Sequence, residues 1–567
     1  MTGKISAIAA LAAAGTDINR RTSQDNELTA LDWAAFRGNV DALKVLVENG
    51  ADVRGSDTRG YTPLHFAVEC NSVGASEASC EAITALLLYG AEVNAADKKG
   101  KTPLVMAVKM EKLALADALV AGGADVNRRN VVDDMAPLDV AAFIGNLGVL
   151  KALLGYGARA KSVNSDANGM APIHYASISG SPTAIVALVQ RGADNEVRTK
   201  NGMTPLQVAA KCGKVSAIDA LAAAGADINL RTTTEDTSAL DLAAHAGEVD
   251  AMNALLRHGA NVRAGNARGY TALYFVSDVN QAASIDFLVG AGADVDVEAE
   301  QGFTPLHIAS HLGFSGAVGS LLRHGADKDF TSSTGATPLH MAAERGRLPV
   351  LNALVEAGAN VWRRTQDHMS ALDLAAGKGH VDVLKALIRH GVDVNASNAK
   401  GHSPLYEAAA RNRVAAIRAL VEAAGADVNN GVSYEDMSAL HMACVVRSTN
   451  IMLTLLSHGA SIGVRDENGK SPLHYAAHTC VSLDPGTDRV DVLLRAGADE
   501  TARDSDGLPP CEVRANKLLR RNAWRCARSC NHRPRARSCG QGVASPGHGF
   551  VVSFFFGEEG EAARAAD

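Results

Sequence analysis

Apolar residues recur along the chain at the spacing of short amphipathic helices, with small or polar residues between them. The stretch from Gln301 to Lys328 shows this pattern most clearly. Leu306 and Ala309 share one face of a helix of about two turns. A second helix is predicted directly after it, with an apolar stripe at i, i+3 and i+4 formed by Val318, Leu321 and Leu322. The stretch therefore predicts a helix–turn–helix hairpin followed by an extended connection.

The predicted helices also have clear ends. Thr304 suits the N-cap, and Pro305 suits the first helical position, where its missing N–H costs nothing. Gly313 ends the first helix and Gly325 ends the second, because glycine adopts the left-handed conformation without steric cost.

The same phrase returns throughout the chain. Thr62-Pro63-Leu64-His65 and Thr337-Pro338-Leu339-His340 repeat it outright, and other units carry looser versions. From Ser238 to Ser403 the step is 33 residues every time. We predict about 14 units, with first helices that start near residues 29, 62, 102, 136, 171, 204, 238, 271, 304, 337, 370, 403, 438 and 471.

A 33-residue unit with the phrase Thr-Pro-Leu-His-x-Ala resembles the ankyrin repeat family. The resemblance implies an all-α, curved ankyrin-repeat solenoid whose helix pairs are joined by loop or β-hairpin fingers. We assign residues 1–506 to the array. Residues 1–19 form a half unit, and their alanine-rich composition favours a start further upstream, because terminal repeats usually present a polar outer face.

Residues 507–567 depart from the pattern. They begin with a degenerate repeat, and the stretch from Arg514 to Arg537 holds nine basic residues and no acidic one. We interpret this region as a mostly disordered, low-complexity tail. Its basic clusters suggest nuclear import or a nucleic-acid contact as an alternative function, although a solvated tail is the simpler interpretation.

Composition argues against several classes of protein. The net charge of −7 is modest, which disfavours nucleic acid or an anionic membrane as the main partner. No apolar run approaches the roughly 18–20 residues needed to span a bilayer. Nine scattered cysteines indicate free thiols in a reducing compartment, so we expect a cytoplasmic or nuclear location.

No pattern typical of catalysis or metal binding emerges. The histidines of the cap phrases (65, 174, 307, 340, 441 and 474) belong to different units. Neighbouring helices lie about 8–10 Å apart, whereas zinc holds each nitrogen at about 2 Å. We expect each histidine to bond the capping residue and a neighbouring carbonyl instead. Gly100-Lys101-Thr102 mimics a phosphate-binding loop but lacks its first glycine, since Ala95 stands there. We therefore expect no enzymatic activity, no cofactor and no metal.

Five units carry an acidic segment where the others have a glycine two residues before the cap; these units begin at Thr29, Ala136, Ser238, Ser370 and Ser438. Four of them replace the histidine by aspartate, namely by Asp32, Asp139, Asp241 and Asp373. In the units of Thr29, Ser238 and Ser370 this spacing predicts a capping box. Basic pairs often precede these tips, namely Arg20-Arg21, Arg128-Arg129 and Arg363-Arg364. We therefore expect the tips to project as charged fingers.

The resemblance implies a protein–protein recognition scaffold, and we expect it to be monomeric and to bind a protein partner through its concave face and finger tips. Interface energy tends to come from Tyr, Trp, Arg and Met side chains. Our candidate protein contacts are the tip residues Arg59, Tyr61, Met170, Met203, Arg268, Tyr270, Phe303, His368, Met369, His402, Tyr434 and Met437. An alternative from another class is the substrate-recruiting arm of a ubiquitin ligase, but no docking box for such a complex is recognisable in the chain.

Overall fold

The architecture was taken from a computed structural model of the chain. It describes Ala10 and residues 14–510 except 23–26, 71–74, 131, 133, 162–167, 431–435 and 479–488. The predicted tail beyond residue 510 and most of the N-terminal half unit lie outside the described residues.

Short helices alternate along the described chain, and each unit has a first and a second helix. The first seven pairs are α1 (Ala30–Phe36) and α2 (Val40–Glu48), α3 (Pro63–Glu69) and α4 (Ala75–Leu88), α5 (Pro103–Lys109) and α6 (Leu113–Ala121), α7 (Pro137–Ile144) and α8 (Leu147–Gly155), α9 (Pro172–Ser179) and α10 (Pro182–Gln190), α11 (Pro205–Lys211) and α12 (Val215–Ala223), and α13 (Ala239–Ala246) and α14 (Val249–Arg257).

The remaining seven pairs follow the same order. They are α15 (Ala272–Asp278) and α16 (Ala282–Gly290), α17 (Pro305–Leu312) and α18 (Ser315–Arg323), α19 (Pro338–Glu344) and α20 (Leu348–Glu356), α21 (Ala371–Lys378) and α22 (Val381–Arg389), α23 (Pro404–Ala410) and α24 (Val414–Arg418), α25 (Ala439–Val445) and α26 (Thr449–Ser457), and α27 (Pro472–His478) and α28 (Arg489–Arg495).

The ends of the helices in the unit of Thr304 follow the prediction. Thr304 is the extended N-cap of α17, and Pro305 occupies the first turn. Gly313 ends α17 with a φ of 87°, in the left-handed region that glycine adopts without strain. The second helix α18 then runs for nine residues.

Packing between units produces one continuous core. Each first helix packs against the first helix of the next unit, and the second helices do the same. The apolar stripe of α17 and α18 is fully buried at Leu306, Ala309, Val318 and Leu321. Since the core extends from Leu31 to Leu493 through every unit, the chain forms the predicted all-α solenoid.

We call the connection between a second helix and the next cap a finger. The described fingers are loops, and two of them contain an isolated antiparallel bridge, Arg231 with Ser238 and Arg364 with Ser370. Successive fingers bond through their backbones, as where the N–H of Glu300 donates to the carbonyl of Arg268 at 2.7 Å and that of Ser333 to Gln301 at 2.8 Å. These bonds fix the fingers relative to one another.

Side chains add further bonds between units. The Oδ1 of Asn229 accepts the N–H of Asn261 at 2.9 Å, and its Nδ2 donates to the carbonyl of Gly259 at 3.2 Å. Lys112 donates to the carbonyls of Val68 and Cys70, at 3.1 and 2.7 Å, near the end of the preceding first helix. A cation there also interacts favourably with the helix dipole.

Two irregular units absorb extra residues within their helices. The unit of Thr62 carries extra residues between Cys70 and Ala82, and its second helix α4 is 14 residues long. After α24, a π-helical stretch at Ala419–Ala423 continues the second helix. Single π-turns are the usual way for a helix to absorb one added residue. Neither change interrupts the stacking of the first helices.

No helix in the described part of the chain combines the length and apolarity needed to cross a lipid bilayer.

Candidate protein-binding face

The fingers and the adjoining side of the first helices form a surface that we call the finger face. The fourth residue of each first helix forms a row along the array. At Phe66 and Phe275 this side chain meets finger residues and therefore belongs to the finger face. The corresponding residue is apolar in the other units except at Glu407; the row is Trp33, Phe66, Met106, Val140, Tyr175, Val208, Leu242, Phe275, Ile308, Met341, Leu374, Glu407, Met442 and Tyr475.

Arg59 and Tyr61 lie together with Phe66 at the second finger. The ring of Tyr61 stacks on His65 with 5.3 Å between centroids and meets Phe66 edge-on at 5.8 Å. The guanidinium carbon of Arg59 lies 4.2 Å from the Tyr61 centroid, and its Nε bonds Asp57 at 2.9 Å. This is a compact cation–π cluster in which the aromatic ring is covered by the chain's own arginine.

A related cluster lies at the finger of Arg268 and Tyr270. Tyr270 stacks on Tyr274 at 4.2 Å and meets Phe275 edge-on at 6.4 Å. Tyr270 and Phe275 line a cavity of about 400 Å³ between this finger and the preceding one. Arg268 is 69% exposed and points to Glu300, with 3.9 Å between Nε and Oε2.

The other predicted contacts differ in their exposure. Met170, Met203, Phe303, Met369 and His402 are half-buried, and His368 is exposed. Met437 is only 6% exposed and belongs to the core, so it offers a partner little surface. Tyr434 lies outside the described residues.

His402 belongs to a charged group on this face. Its Nδ1 lies 3.0 Å from Glu407, its ring stacks on Tyr406 at 4.1 Å, and Arg411 bonds the second carboxylate oxygen. Burial acts to raise the pKa of Glu407, but the bonds from His402 and Arg411 outweigh it and lower the pKa. Asn398 Nδ2 also donates to Glu407, at 3.1 Å. Glu407 is therefore a buried anion with three partners, and it interrupts the apolar row.

Two further candidate contacts were not predicted from the sequence. Trp33 on α1 is 45% exposed and Phe143 on α7 is 50% exposed. Both are large apolar residues on the predicted first helices, whereas the predicted contacts all lie at the finger tips.

The cap histidines act as expected. The Nδ1 of His307 accepts the N–H of Thr304 at 3.2 Å and lies 2.9 Å from its hydroxyl, while Nε2 donates to the carbonyl of Ala336 at 3.1 Å. His441 makes the same bonds to Ser438 and Lys470. Burial lowers the pKa of His307 to about 4, so the ring is neutral at pH 7. Five of the cap histidines thus join their own cap to the residue before the next cap, namely His65, His174, His307, His441 and His474. His340 bonds only its own cap, and its Nε2 has no hydrogen-bond partner within the described residues.

Models of ankyrin repeats match residues 1–77, 73–164, 138–232, 235–267, 275–365, 362–432 and 429–504. The chain belongs to the ankyrin repeat family. Similar curated proteins include Ankyrin repeat and SOCS box protein 11 of Danio rerio, which is 34% identical over 83 residues, 15% of this chain and 26% of that protein. Protein phosphatase 1 regulatory subunit 27 of Homo sapiens is 40% identical over 50 residues, 9% of this chain and 32% of that protein.

Ankyrin repeat protein nuc-2 of Neurospora crassa is 30% identical over 170 residues, 30% of this chain and 15% of that protein. The chain therefore matches less than a third of the length of each of these relatives. A crystal structure of the human ASB11 ankyrin repeat domain is 25% identical, with a TM-score of 0.36, and the alignment covers 41% of this chain and 99% of that domain.

The aspartate-type ankyrin units form the predicted capping boxes. In the unit of Ser370, Asp373 accepts the backbone N–H at 2.8 Å and the hydroxyl at 2.7 Å, while its own N–H donates to the Ser370 hydroxyl at 3.2 Å. Burial raises the pKa of Asp373 to about 6, although these bonds oppose the rise. Burial raises the pKa of Asp241 to about 6 in the same way.

The expectation of charged fingers in these ankyrin units holds only in part. Arg128 and Arg363 are exposed, but the second arginine of each pair turns inward. Arg364 donates to the carbonyls of His368 and Ser397 at 2.7 and 3.0 Å. Both carbonyls accept from the same charged donor, so the guanidinium stabilises the finger from inside.

Arg231 shows the same inward turn and adds an ion pair. It bonds the carbonyl of Asp236 at 2.6 Å and lies 3.4 Å from the capping Asp241. Within the described ranges, no group of three or more His, Cys, Asp or Glu side chains is placed to hold a metal ion.

Proposed function

We propose that this ankyrin protein is a non-enzymatic, monomeric scaffold that binds a protein partner through the finger face. The observation that carries the proposal is that two large apolar side chains of first helices, Trp33 on α1 and Phe143 on α7, stay 45% and 50% exposed. Exposed apolar groups that share one surface with aromatic and arginine side chains are typical of protein-binding sites. We place the protein in the cytoplasm or nucleus.

The rigidity of the face supports this function. Backbone bonds join neighbouring fingers, and asparagine side chains such as Asn229 join neighbouring units. A surface that is already ordered loses little conformational entropy on binding, so many modest contacts can add up to a stable complex.

The structure refines the set of contacts that we propose. Arg268 and His368 are exposed, and the exposed Trp33 and Phe143 join them. Arg59, Tyr61 and Tyr270 are half-buried, and their side chains favour interfaces. Met170, Met203, Phe303, Met369 and His402 contribute their exposed edges, and Tyr434 remains a proposed contact. Met437 is left out because it is buried.

Affinity purification with a matched pair of variants tests the proposal. The tip variant carries Arg59→Glu, Arg268→Glu and His368→Glu. The control carries the same number of reversals at exposed second-helix positions, Lys151→Glu, Lys385→Glu and Arg389→Glu. Circular dichroism and melting curves establish that both retain the fold.

We expect proteins that the wild type and the control retain equally to be lost from the tip variant. If the tip variant retains the same proteins, or if the control loses them to the same degree, the finger face is not the binding surface. Removal of residues 508–567 from the wild type separately tests the basic tail, since a tail-dependent partner would be lost in that truncation alone.

A further inference from the structure

Two fingers of the array are similar in sequence but differ in the surroundings of their arginine. Arg59-Gly60-Tyr61-Thr62 in one copy corresponds to Arg268-Gly269-Tyr270-Thr271 in the other, and Phe66 corresponds to Phe275. The residue that organises each turn is Asp57 in the first copy and Asn266 in the second.

The two turns have the same backbone bonds. Oδ1 of Asp57 accepts the N–H groups of Arg59 and Tyr61, both at 2.8 Å. Oδ1 of Asn266 accepts those of Arg268 and Tyr270 at 3.0 and 2.9 Å. The remaining atom of each side chain differs, since it is an anionic oxygen in aspartate and a neutral amide nitrogen in asparagine. Two neighbouring positions differ as well, because Tyr274 stands in place of His65 and Glu300 in place of Lys98.

The arginine takes a different direction in each copy. Oδ2 of Asp57 holds Nε of Arg59 at 2.9 Å and places the guanidinium carbon 4.2 Å from the Tyr61 ring and 5.6 Å from the Phe66 ring. Asn266 offers no charge for an ion pair, and Arg268 lines the cavity with its Nε directed to Glu300, 3.9 Å from Oε2. The aromatic cluster is thus covered by a guanidinium in the first copy and faces a cavity in the second.

The walls of that cavity suit a cation. One face of Tyr270 rests on Tyr274, with an interplanar angle of 15°, and Tyr270 and Phe275 line the space. Glu235 and Asp236 of the preceding finger line it as well. Glu235 is exposed, and Asp236 is held in place because its Oδ2 accepts the N–H of Ala267 at 2.7 Å. Aromatic rings and carboxylates together favour a planar, multiply donating cation.

We propose that the cavity between the fingers of Asp236 and Tyr270 binds an arginine side chain of a protein partner. The Arg59 guanidinium on Tyr61 and Phe66 is the internal template for this ligand. The proposal rests on the proposed function, since it names one side chain that the finger face recognises. It predicts one such site in the wild type, because the equivalent site is already filled by Arg59.

The test uses the full chain labelled with 3-fluorotyrosine and observed by fluorine NMR, with the Tyr61 and Tyr270 signals assigned from Tyr61→Phe and Tyr270→Phe. The probes are the peptide acetyl-Gly-Arg-Gly-amide and two analogues with citrulline or lysine in the central position. Citrulline keeps the shape of arginine without its charge. We expect the Arg peptide to shift the Tyr270 signal in a saturable manner and to leave Tyr61 unchanged, whereas the citrulline peptide shifts neither.

Exchanging the residues at positions 57 and 266 between the two copies gives the matched variants. Asn266→Asp should draw Arg268 over Tyr270 and weaken peptide binding at least tenfold. Asp57→Asn should release Arg59, so that the Tyr61 signal begins to respond to the Arg peptide. Glu235→Gln, on an exposed side chain, should weaken binding without affecting the fold.

The proposal is overturned if the Tyr270 signal does not respond, if citrulline or lysine matches arginine, or if Asn266→Asp leaves the titration unchanged. These outcomes are separable from a failure of the proposed function. If the tip variant loses its partners but the Tyr270 fluorine signal of the wild type does not respond to the Arg peptide, only the arginine site is refuted. If the Tyr270 signal responds but the tip variant retains its partners, the finger face is refuted as the general binding surface.

Discussion

Replacing Asp373 by asparagine tests whether the aspartate-type units carry an electrostatic cost at neutral pH. The side chain is fully buried at the cap of α21. One carboxylate oxygen accepts two bonds from Ser370, whereas the other has no hydrogen-bond partner in the described structure. Asparagine keeps an acceptor for the Ser370 N–H, carries no charge, and has nearly the same volume.

The expected gain in stability follows from the pKa of Asp373. Burial raises the pKa of Asp373 from 3.8 to about 6. Each tenfold change in proton affinity corresponds to about 1.4 kcal/mol, so ionisation of Asp373 costs the folded state about 3 kcal/mol at pH 7. Because the folded-state pKa lies above the unfolded value, this cost is absent below about pH 4 and is complete above about pH 6. Asp373→Asn should therefore stabilise the unit at pH 7 and lose that advantage towards pH 4.

Hydrogen exchange measured by mass spectrometry reports the effect locally, because long repeat arrays do not unfold in two states. Comparison of wild type and variant at equal pH cancels the intrinsic exchange rates. We expect protection of α21 to rise by up to about 100-fold at pH 7, the equivalent of 3 kcal/mol, and by little at pH 4. Asp382→Asn, at an exposed position of the same unit, should change protection by less than threefold at either pH. A difference that is independent of pH, or a variant less protected than wild type at pH 7, would refute the reasoning.

Three further changes probe the units and the contacts between them. His307→Ala should destabilise α17 and α19 by about 2–3 kcal/mol in hydrogen exchange, since the Ala336 carbonyl loses its donor. Burial lowers the pKa of His307 from 6.5 to about 4, so the difference in stability between wild type and variant should shrink as the pH falls through this range. Gly335→Ala should lower the melting temperature, because φ is +76° and a Cβ would lie 2.9 Å from the Gln366 nitrogen. The control Gly459→Ala, with φ at +84° and open space around it, should lower the stability by only about 1 kcal/mol. Lys112→Met should reduce protection of α3 by about 1–2 kcal/mol through loss of two carbonyl bonds, and the exposed control Lys109→Met should not.

Local chemistry made the helix pairs predictable from sequence. Thr304, Pro305 and Gly313 each specify a helix end through their own backbone preferences. The bonds of His307 and the capping box of Ser370 and Asp373 also follow from short spacings within one unit. Such features need no knowledge of the rest of the fold, because every partner except the Ala336 carbonyl lies within three residues.

The finger tips were harder to predict because their environment comes from two units at once. Met203 and Met437 both directly precede a cap, yet the first is half-buried and the second belongs to the core. The inward turn of Arg364 likewise depends on the Ser397 carbonyl, 33 residues further along the chain. Sequence reasoning correctly located the tips but could not determine which of their side chains remain accessible.

The acidic tips also explain why two kinds of unit coexist. Asp236 and Asp436 stand where other units have glycine, and both adopt a positive φ, of 51° and 53°. A side chain in this conformation costs roughly 1–2 kcal/mol relative to glycine, and aspartate tolerates it better than most residues. In return the finger gains an anion that glycine cannot provide, and at Asp236 this anion lies in the wall of the proposed arginine site. Arg231 turns inward and donates to the Asp236 carbonyl, so it stabilises the strained backbone of this finger. The same bond holds the Asp236 side chain in position. The departures from the regular repeat are therefore the positions at which we expect recognition by this array to differ from that of a uniform one.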